Sequence, residues 1–188
     1  MIYGFGINNA TYKVCIGARN DRIFCPFYER WREMIRRCYA KTNKYPTYRD
    51  CSVHPDWKYF MNFRSWMMFQ DWQGKQLDKD ILYPGNKIYS PDTCCFVSGE
   101  LNLLVGDKGS AKGRFGSGVF QCRKTGKYLA RCKVRQENHK HIGTFSTPEE
   151  ANQAYRSYKA EQILKISREG LPTDIAAGLM RHAAALLN

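Results

Sequence analysis

Residues 77–102, LDKDILYPGNKIYSPDTCCFVSGELN, set two acids, Asp78 and Asp80, around a lysine, Lys79, then add a Gly85-Asn86 turn and end on Asn102. Carboxylate and amide oxygens are hard donors of the kind that hold Mg²⁺ or Mn²⁺ beside a phosphate. A cation so held activates water and stabilises charge on a phosphodiester. The same residues also read as solvated strand-end acids and a helix asparagine making a local bond, and without the surrounding pattern that is the favoured reading. Lys79 is the odd member. An ordinary lysine, with a pKa of about 10.4, is a cation at neutral pH and cannot take a proton from water. Its two acidic neighbours favour the charged form further, although a bound cation would push the other way. Asp80 is then the nearest candidate base and His54 a remote one. Cysteine-based catalysis lacks a partner, because His54 precedes Pro55 and has no evident link to a thiol.

The elements around these residues read strand, strand, helix. QLDKDIL alternates like a short strand, YPGN turns the chain, KIYSPDTCCFV resumes extended structure, and SGELNLLV opens a helix. Asn86 belongs to the turn; Tyr89, Ser90 and Pro91 shape the second strand, and Cys94, Cys95 and Phe96 pack it. Upstream, residues 1–24 carry Gly and Asn-Asn turn signals around TYKVCI, which predicts an extended arm or edge hairpin. Pro26 then starts an amphipathic helix whose apolar side is Phe27, Trp31, Met34, Ile35 and Cys38, with Arg36 and Arg37 on a solvated face. The aromatic run DWKYFMNFRSWMMFQDW predicts a second, core-packing helix.

After a Gly-, Ser- and Lys-rich stretch, 106–117, the pattern becomes one-sided. In GKYLARCKVR, Tyr128, Ala130, Cys132 and Val134 alternate with Lys127, Leu129, Arg131, Lys133 and Arg135, giving one apolar and one mostly basic strand face. GVFQCRK is expected to turn Phe120 and Cys122 inward and Gln121 and Arg123 outward, and HKHIGTF to place Ile142 inside with His139 and His141 out. Thr147, Pro148 and Glu150 then form a capping-box start to a helix whose stripe is Ala151, Ala154, Tyr155 and Tyr158. The terminal PTDIAAGLMRHAAALLN predicts one more helix.

Between residues 111 and 142 stand nine Lys or Arg and a single acid, Glu137, within a chain of 188 residues carrying a net charge of +13. Such a balance suits a polyanion, and a basic sheet face can enter the major groove of duplex DNA. No stretch approaches the roughly 20 apolar residues of a spanning helix and no signal-peptide pattern opens the chain, so the expected setting is soluble and cytoplasmic. The eight cysteines include no Cys-x-x-Cys pair, so no structural zinc is expected and the thiols are read as reduced.

Two resemblances sharpen this. Residues 117–134 and 139–161, with Gly118-Val119, the LARCKV strand, Ile142-Gly143-Thr144-Phe145 and the TPEEANQAY helix, resemble the DNA-binding domain of plant ethylene-response (APETALA-type) factors, which also occurs attached to phage and mobile-element endonucleases. That family reads DNA with its three-stranded sheet. The resemblance implies contacts from Gln121, Arg123, Arg131, Lys133, Arg135, His139 and His141, to which the basic face adds Lys127. The connection RQENHK departs from the plant pattern, so no target sequence carries over. Residues 25–105, with Tyr28, Trp31, Met34, Arg37, Cys38 and Tyr39 and then Trp57, Phe60, Phe63 and Trp66 ahead of LDKD, GN, YSP and Asn102, resemble phage-borne HNH endonucleases of the ββα-metal fold. In that family an Asp-His pair ends the first strand, and a helix Asn or His completes a one-ion site. By position the equivalents are Asp78, Lys79 and Asn102, so a lysine stands where the general-base histidine is expected.

The expected architecture is α+β: an arm over 1–24, helices and a ββα-metal module over 25–105, a linker over 106–117, a three-stranded antiparallel sheet packed on one helix over 118–165, and a terminal helix over 166–188. The expected function is Mg²⁺- or Mn²⁺-dependent cleavage or nicking of double-stranded DNA of the homing type, with Asp78 and Asn102 on the metal and Lys79 and Asp80 beside it. If the chain is phage-encoded, the setting is the host cytoplasm. The rival reading is an inactive HNH-derived regulator or anti-host factor that occupies DNA or docks on a host protein; an RNA-binding protein is a third.

Overall fold

The computed structural model describes residues 1–18, 21–42, 45–106, 113–134 and 139–188 of a mixed α+β chain. It divides into two compact units, Met1–Asp80 with Gly85–Phe96, and Ile81–Pro84 with Val97–Asn188.

In the first unit the arm is tied down by backbone pairing. Strands β1 (Cys15–Ile16) and β2 (Ile23–Phe24) form a short antiparallel hairpin. Helix α1 (Pro26–Tyr39) starts on Pro26, carries Glu29 in its first turn and Arg36 and Arg37 in its last, and so suits the helix dipole at both ends. It buries Trp31, Met34 and Ile35 against Trp57, Phe60, Phe63 and Met67. Strand β3 (Ser52–Val53) follows, and after it the expected second helix is broken in two. A 3-10 turn covers Pro55–Lys58, Tyr59 is extended, and α2 runs only from Phe60 to Met67. The cause is distant in sequence. Ile7 N–H donates to the Lys58 carbonyl at 2.8 Å and Phe60 N–H donates to the Ile7 carbonyl at 3.0 Å, so Tyr59 pairs with the arm as a strand residue. Asn9 Oδ1 also accepts the Met61 N–H, satisfying one orphan donor of the first turn of α2.

Strand β4 (Gln76–Asp78) does not pair with the extended segment directly after the turn. Strand β5 (Ile88–Tyr89) lies parallel to β3, and β4 pairs instead with β6 (Cys95–Val97). The predicted second strand is thus split at Ser90-Pro91-Asp92-Thr93, where Cys94 N–H closes onto the Ser90 carbonyl at 3.0 Å and the Ser90 and Thr93 hydroxyls meet at 2.8 Å. Pro91 suits the second position of such a turn and cannot donate to a ladder.

The second unit opens with α3 (Gly99–Val105), capped by Ser98 Oγ on the Leu101 N–H. Strands β7 (Val119–Gln121), β8 (Tyr128–Cys132) and β9 (Lys140–Phe145) form an antiparallel sheet in that order, with a bulge at Ala130/Arg131. Helix α4 (Pro148–Ile166) covers one face of it, and the predicted capping box is formed: Thr147 Oγ1 accepts Glu150 N–H, and Glu150 Oε2 accepts Thr147 N–H, both at 3.2 Å. Ala151 is buried with Val119 and Ala130, small enough to let helix and sheet approach. Gly118, at φ +70°, has no room for a Cβ between the Tyr155 ring and the Arg131 carbonyl, which fixes where β7 enters the sheet.

Helix α5 (Thr173–Leu187) packs on α4, and Arg156 Nε donates to the Leu186 carbonyl at 2.6 Å. Its other contacts hold the four-residue segment that belongs to this unit, Ile81–Pro84. Gly178 abuts the Ile81 carbonyl so closely that no Cβ fits, Arg181 Nη1 donates to the Leu82 carbonyl at 2.5 Å, and its guanidinium lies 5.3 Å from the Tyr83 ring centroid.

Candidate nucleic-acid interface and acidic strand end

The three-stranded sheet separates its side chains as the period of two requires. On the α4 side lie Val119, Ala130 and Cys132, all buried, with Tyr128, Ile142, Phe145 and Tyr155 packed around them. Arg131, Lys133, His139, Lys140 and His141 are exposed, and Lys127 is exposed at the start of β8. The bulge sets Arg131 directly opposite His141. Arg135 lies outside the described residues, as do residues 107–112, half of the linker.

Strand β7 departs from expectation by one residue. Val119 is the buried position, so Phe120 points outward at 55% exposure and is paired with Leu129. Gln121 stands opposite Tyr128, on the other side from Phe120, and its amide donates to the Gly126 carbonyl at 3.1 Å and the Tyr128 hydroxyl at 3.3 Å. It braces the hairpin from the side opposite Phe120 while staying exposed to solvent. Arg123 lies beyond the strand, in the exposed turn. The physical reason is the phase set by Gly118: a one-residue shift moves every side chain to the other face.

At the end of β4, Asp78 is buried and its Oδ1 accepts the Asp80 N–H at 2.9 Å. Lys79 is buried too, at 6% exposure. Its ammonium donates to Asp80 Oδ2 at 3.1 Å and to the Asn86 carbonyl at 2.9 Å, and stands 5.9 Å from the Tyr48 ring centroid. Asn86 returns the contact, its Nδ2 donating to the Lys79 carbonyl at 2.5 Å and to the Ile88 carbonyl at 2.7 Å. Asn86 therefore clasps the lysine's backbone and side chain, a role beyond the turn chemistry read from sequence, signalled there only by the Gly-Asn pair. Tyr48 had no sequence signal. Burial disfavours the Lys79 charge, but the Asp80 carboxylate, its hydrogen bond and the nearby Cys51 and Asp78 more than offset that, holding the pKa above the ordinary lysine value. The ammonium stays charged, as its acidic neighbours suggest.

His54 is occupied locally, its Nδ1 accepting the Asp56 N–H at 3.3 Å as cap of the 3-10 turn. Asn102 belongs to the second unit, half-buried on α3, with its N–H on the Ser98 carbonyl and its own carbonyl taking the Gly106 N–H. The structure thus brings Asp78, Lys79, Asp80 and Asn86 together within one unit and places Asn102 in the other. Among the described residues, no three His, Cys, Asp or Glu side chains gather as a metal cage.

The Lys79 clasp has a measurable pH signature. A group whose pKa is raised by folding contributes its stability fully below its unfolded value, 10.5, and loses it as pH climbs through the higher folded value. In EDTA, Lys79→Met is expected to cost about 1–3 kcal/mol through the lost charge-assisted bonds. The deficit against wild type is expected to stay constant up to about pH 9.5 and to shrink above 10.5 in urea titrations. A deficit that widens at alkaline pH would show the clasp to be misread.

Comparison with protein-family models, with curated proteins and with solved structures returns no match. Among the described residues no helix is long and apolar enough to cross a membrane.

Proposed function

We propose that this protein binds double-stranded DNA through the outer face of its three-stranded sheet and cleaves or nicks it with a divalent cation. The observation that carries the reading is the sorting of that sheet: apolar residues lie under α4, and Arg131, Lys133, His139 and His141 lie on the free side, with Lys140 exposed at the sheet end opposite Cys132. Phosphate contacts position such a face and base-edge contacts specify. In the proposal β4, β6 and α3 are the strands and helix of an HNH-like ββα-metal module, a likeness supported by the paired β4 and β6 and by the helix next in sequence.

The donor chemistry suits Mg²⁺ or Mn²⁺. Mg²⁺ binds through one or two carboxylates plus substrate phosphate and keeps several waters, so it needs no all-protein cage. Asp78, its Oδ1 oriented by the Asp80 N–H, is the carboxylate that would hold it; bound there, it would supply Lewis-acid activation of water and phosphate. Lys79, charged and clasped, supplies electrostatic stabilisation rather than proton transfer. Asp80 orients that ammonium and is the acceptor nearest the site.

The test uses supercoiled plasmid with Mg²⁺, Mn²⁺ or EDTA. Metal-dependent nicking is expected, and Asp78→Ala is expected to lower it by at least about a hundredfold, the scale on which loss of a transition-state-stabilising group registers. A second reading, an inactive HNH-derived regulator acting on DNA or a host protein, is favoured by the engagement of Lys79 with Asp80 and Asn86 where a base would be needed. Tight duplex binding with no nicking in any metal selects it. Competition by structured RNA as strong as by duplex DNA would instead point to an RNA ligand.

A further inference from the structure

The outer sheet face is not uniformly basic. Phe120 and Leu129 are direct cross-strand partners, and Leu129 is in turn opposite Thr144 on β9. These three make one row across all three strands on the side away from α4. Along β8 the alternation places Lys127 on one flank of the row and Arg131 on the other, about 7 Å away at two residues per repeat. Single exposed apolar residues are ordinary on protein surfaces. Here, however, a phenyl ring, a leucine and a threonine methyl are contiguous, lie at the centre of the face and are bordered by cations. Burying Phe120 would have cost only a one-residue phase change in β7, which the Gly118 turn prevents.

We infer that Phe120, with Leu129, reads the C5 methyl of a pyrimidine in the major groove of duplex DNA. The cationic border commits the row to a polyanion. Three strands spaced about 4.8 Å apart span roughly 10 Å, which suits a major groove about 12 Å wide. In that groove the carbon group offered to an apolar side chain is the pyrimidine methyl, and the minor groove offers none. Thymine and 5-methylcytosine share this chemistry. Lys127 and Arg131 hold phosphate or guanine on either side, and the methyl contact adds discrimination that cations alone do not give.

This inference rests on the duplex-DNA reading above, and its test separates the two. Duplexes retained by the full-length protein from a random pool are resynthesised with thymine replaced by uracil, and separately with cytosine replaced by 5-methylcytosine. Affinities are measured by fluorescence anisotropy at one salt concentration. Wild type is expected to bind the thymine duplex about fourfold more tightly than the uracil duplex for each methyl covered. Phe120→Ala is expected to bind both alike, with an unchanged melting temperature because the ring is exposed. A gain on cytosine methylation that disappears in Phe120→Ala would extend the reading to methylated cytosine; no gain confines it to thymine. Equal wild-type affinity for thymine and uracil duplexes overturns the methyl reading and leaves DNA binding standing. Phe120→Ala weakened equally on both overturns it as well, since a generic contact would behave that way. Failure to retain any duplex from the pool overturns the DNA reading itself.

Discussion

Reversing Arg131 and Lys133 together to glutamate is expected to weaken duplex binding on the order of a hundredfold at physiological salt, with no change in the thermal melt. Both side chains are exposed, Arg131 on β8 and Lys133 just past its end, while the intervening Cys132 is buried, so the double change touches no packing. Each lost phosphate contact removes a released counterion, and the slope of log affinity against log salt is expected to fall by about 0.9 per contact. Two contacts therefore predict a slope shallower by about 1.8. A titration series across salt concentrations checks this. An affinity drop without a change of slope would mean that these residues act on bases or on the fold rather than on phosphates.

Trp31→Ala is expected to cost about 3–5 kcal/mol of stability, a large share of the roughly 5–15 kcal/mol typical of a folded domain. The indole is fully buried and stands between the Tyr28 and Phe60 rings at 5.6 Å from each, and Gly6 comes so close that a Cβ there would lie 2.7 Å from the indole. Its Nε1 donates to the Trp57 carbonyl at 2.7 Å, an acceptor the alanine would leave unmet in the interior. Trp31→Phe restores most of the volume but not the donor, so it is expected to fall between. Urea midpoints at constant m-value measure both. A loss under about 1 kcal/mol for the alanine would contradict the packing described.

What could be read from the amino-acid order depended on how local its cause was. The alternation in GKYLARCKVR, the Pro26 start of α1 and the Thr147 capping box are each decided within a few residues, and each is found in the structure. The charge state of Lys79 was legible too, because its acidic neighbours adjoin it. The break in the aromatic helix was not, since it arises from Ile7 pairing with Tyr59. The phase of β7 was lost for a related reason: Val119 and Phe120 are both apolar, and only the register against Ala130 and Leu129 decides which is covered. The Asn86 clasp and the division of KIYSPDTCCFV between two partner strands likewise depend on pairings that composition does not encode. The candidate site was therefore visible as residues, but its neighbours Asn86 and Tyr48 were visible only in three dimensions.

The Ile81–Pro84 segment makes the chain pass from one unit to the other three times, after Asp80, after Pro84 and after Phe96. No single scission can therefore release both halves intact. Cutting at 96 leaves Ile81 and Leu82, both buried in the intact protein, on the amino-terminal fragment without the Gly178 and Arg181 contacts to their backbone. Such a fragment would be prone to self-association, and gene fusions that exchange the second unit would need to carry these four residues with it.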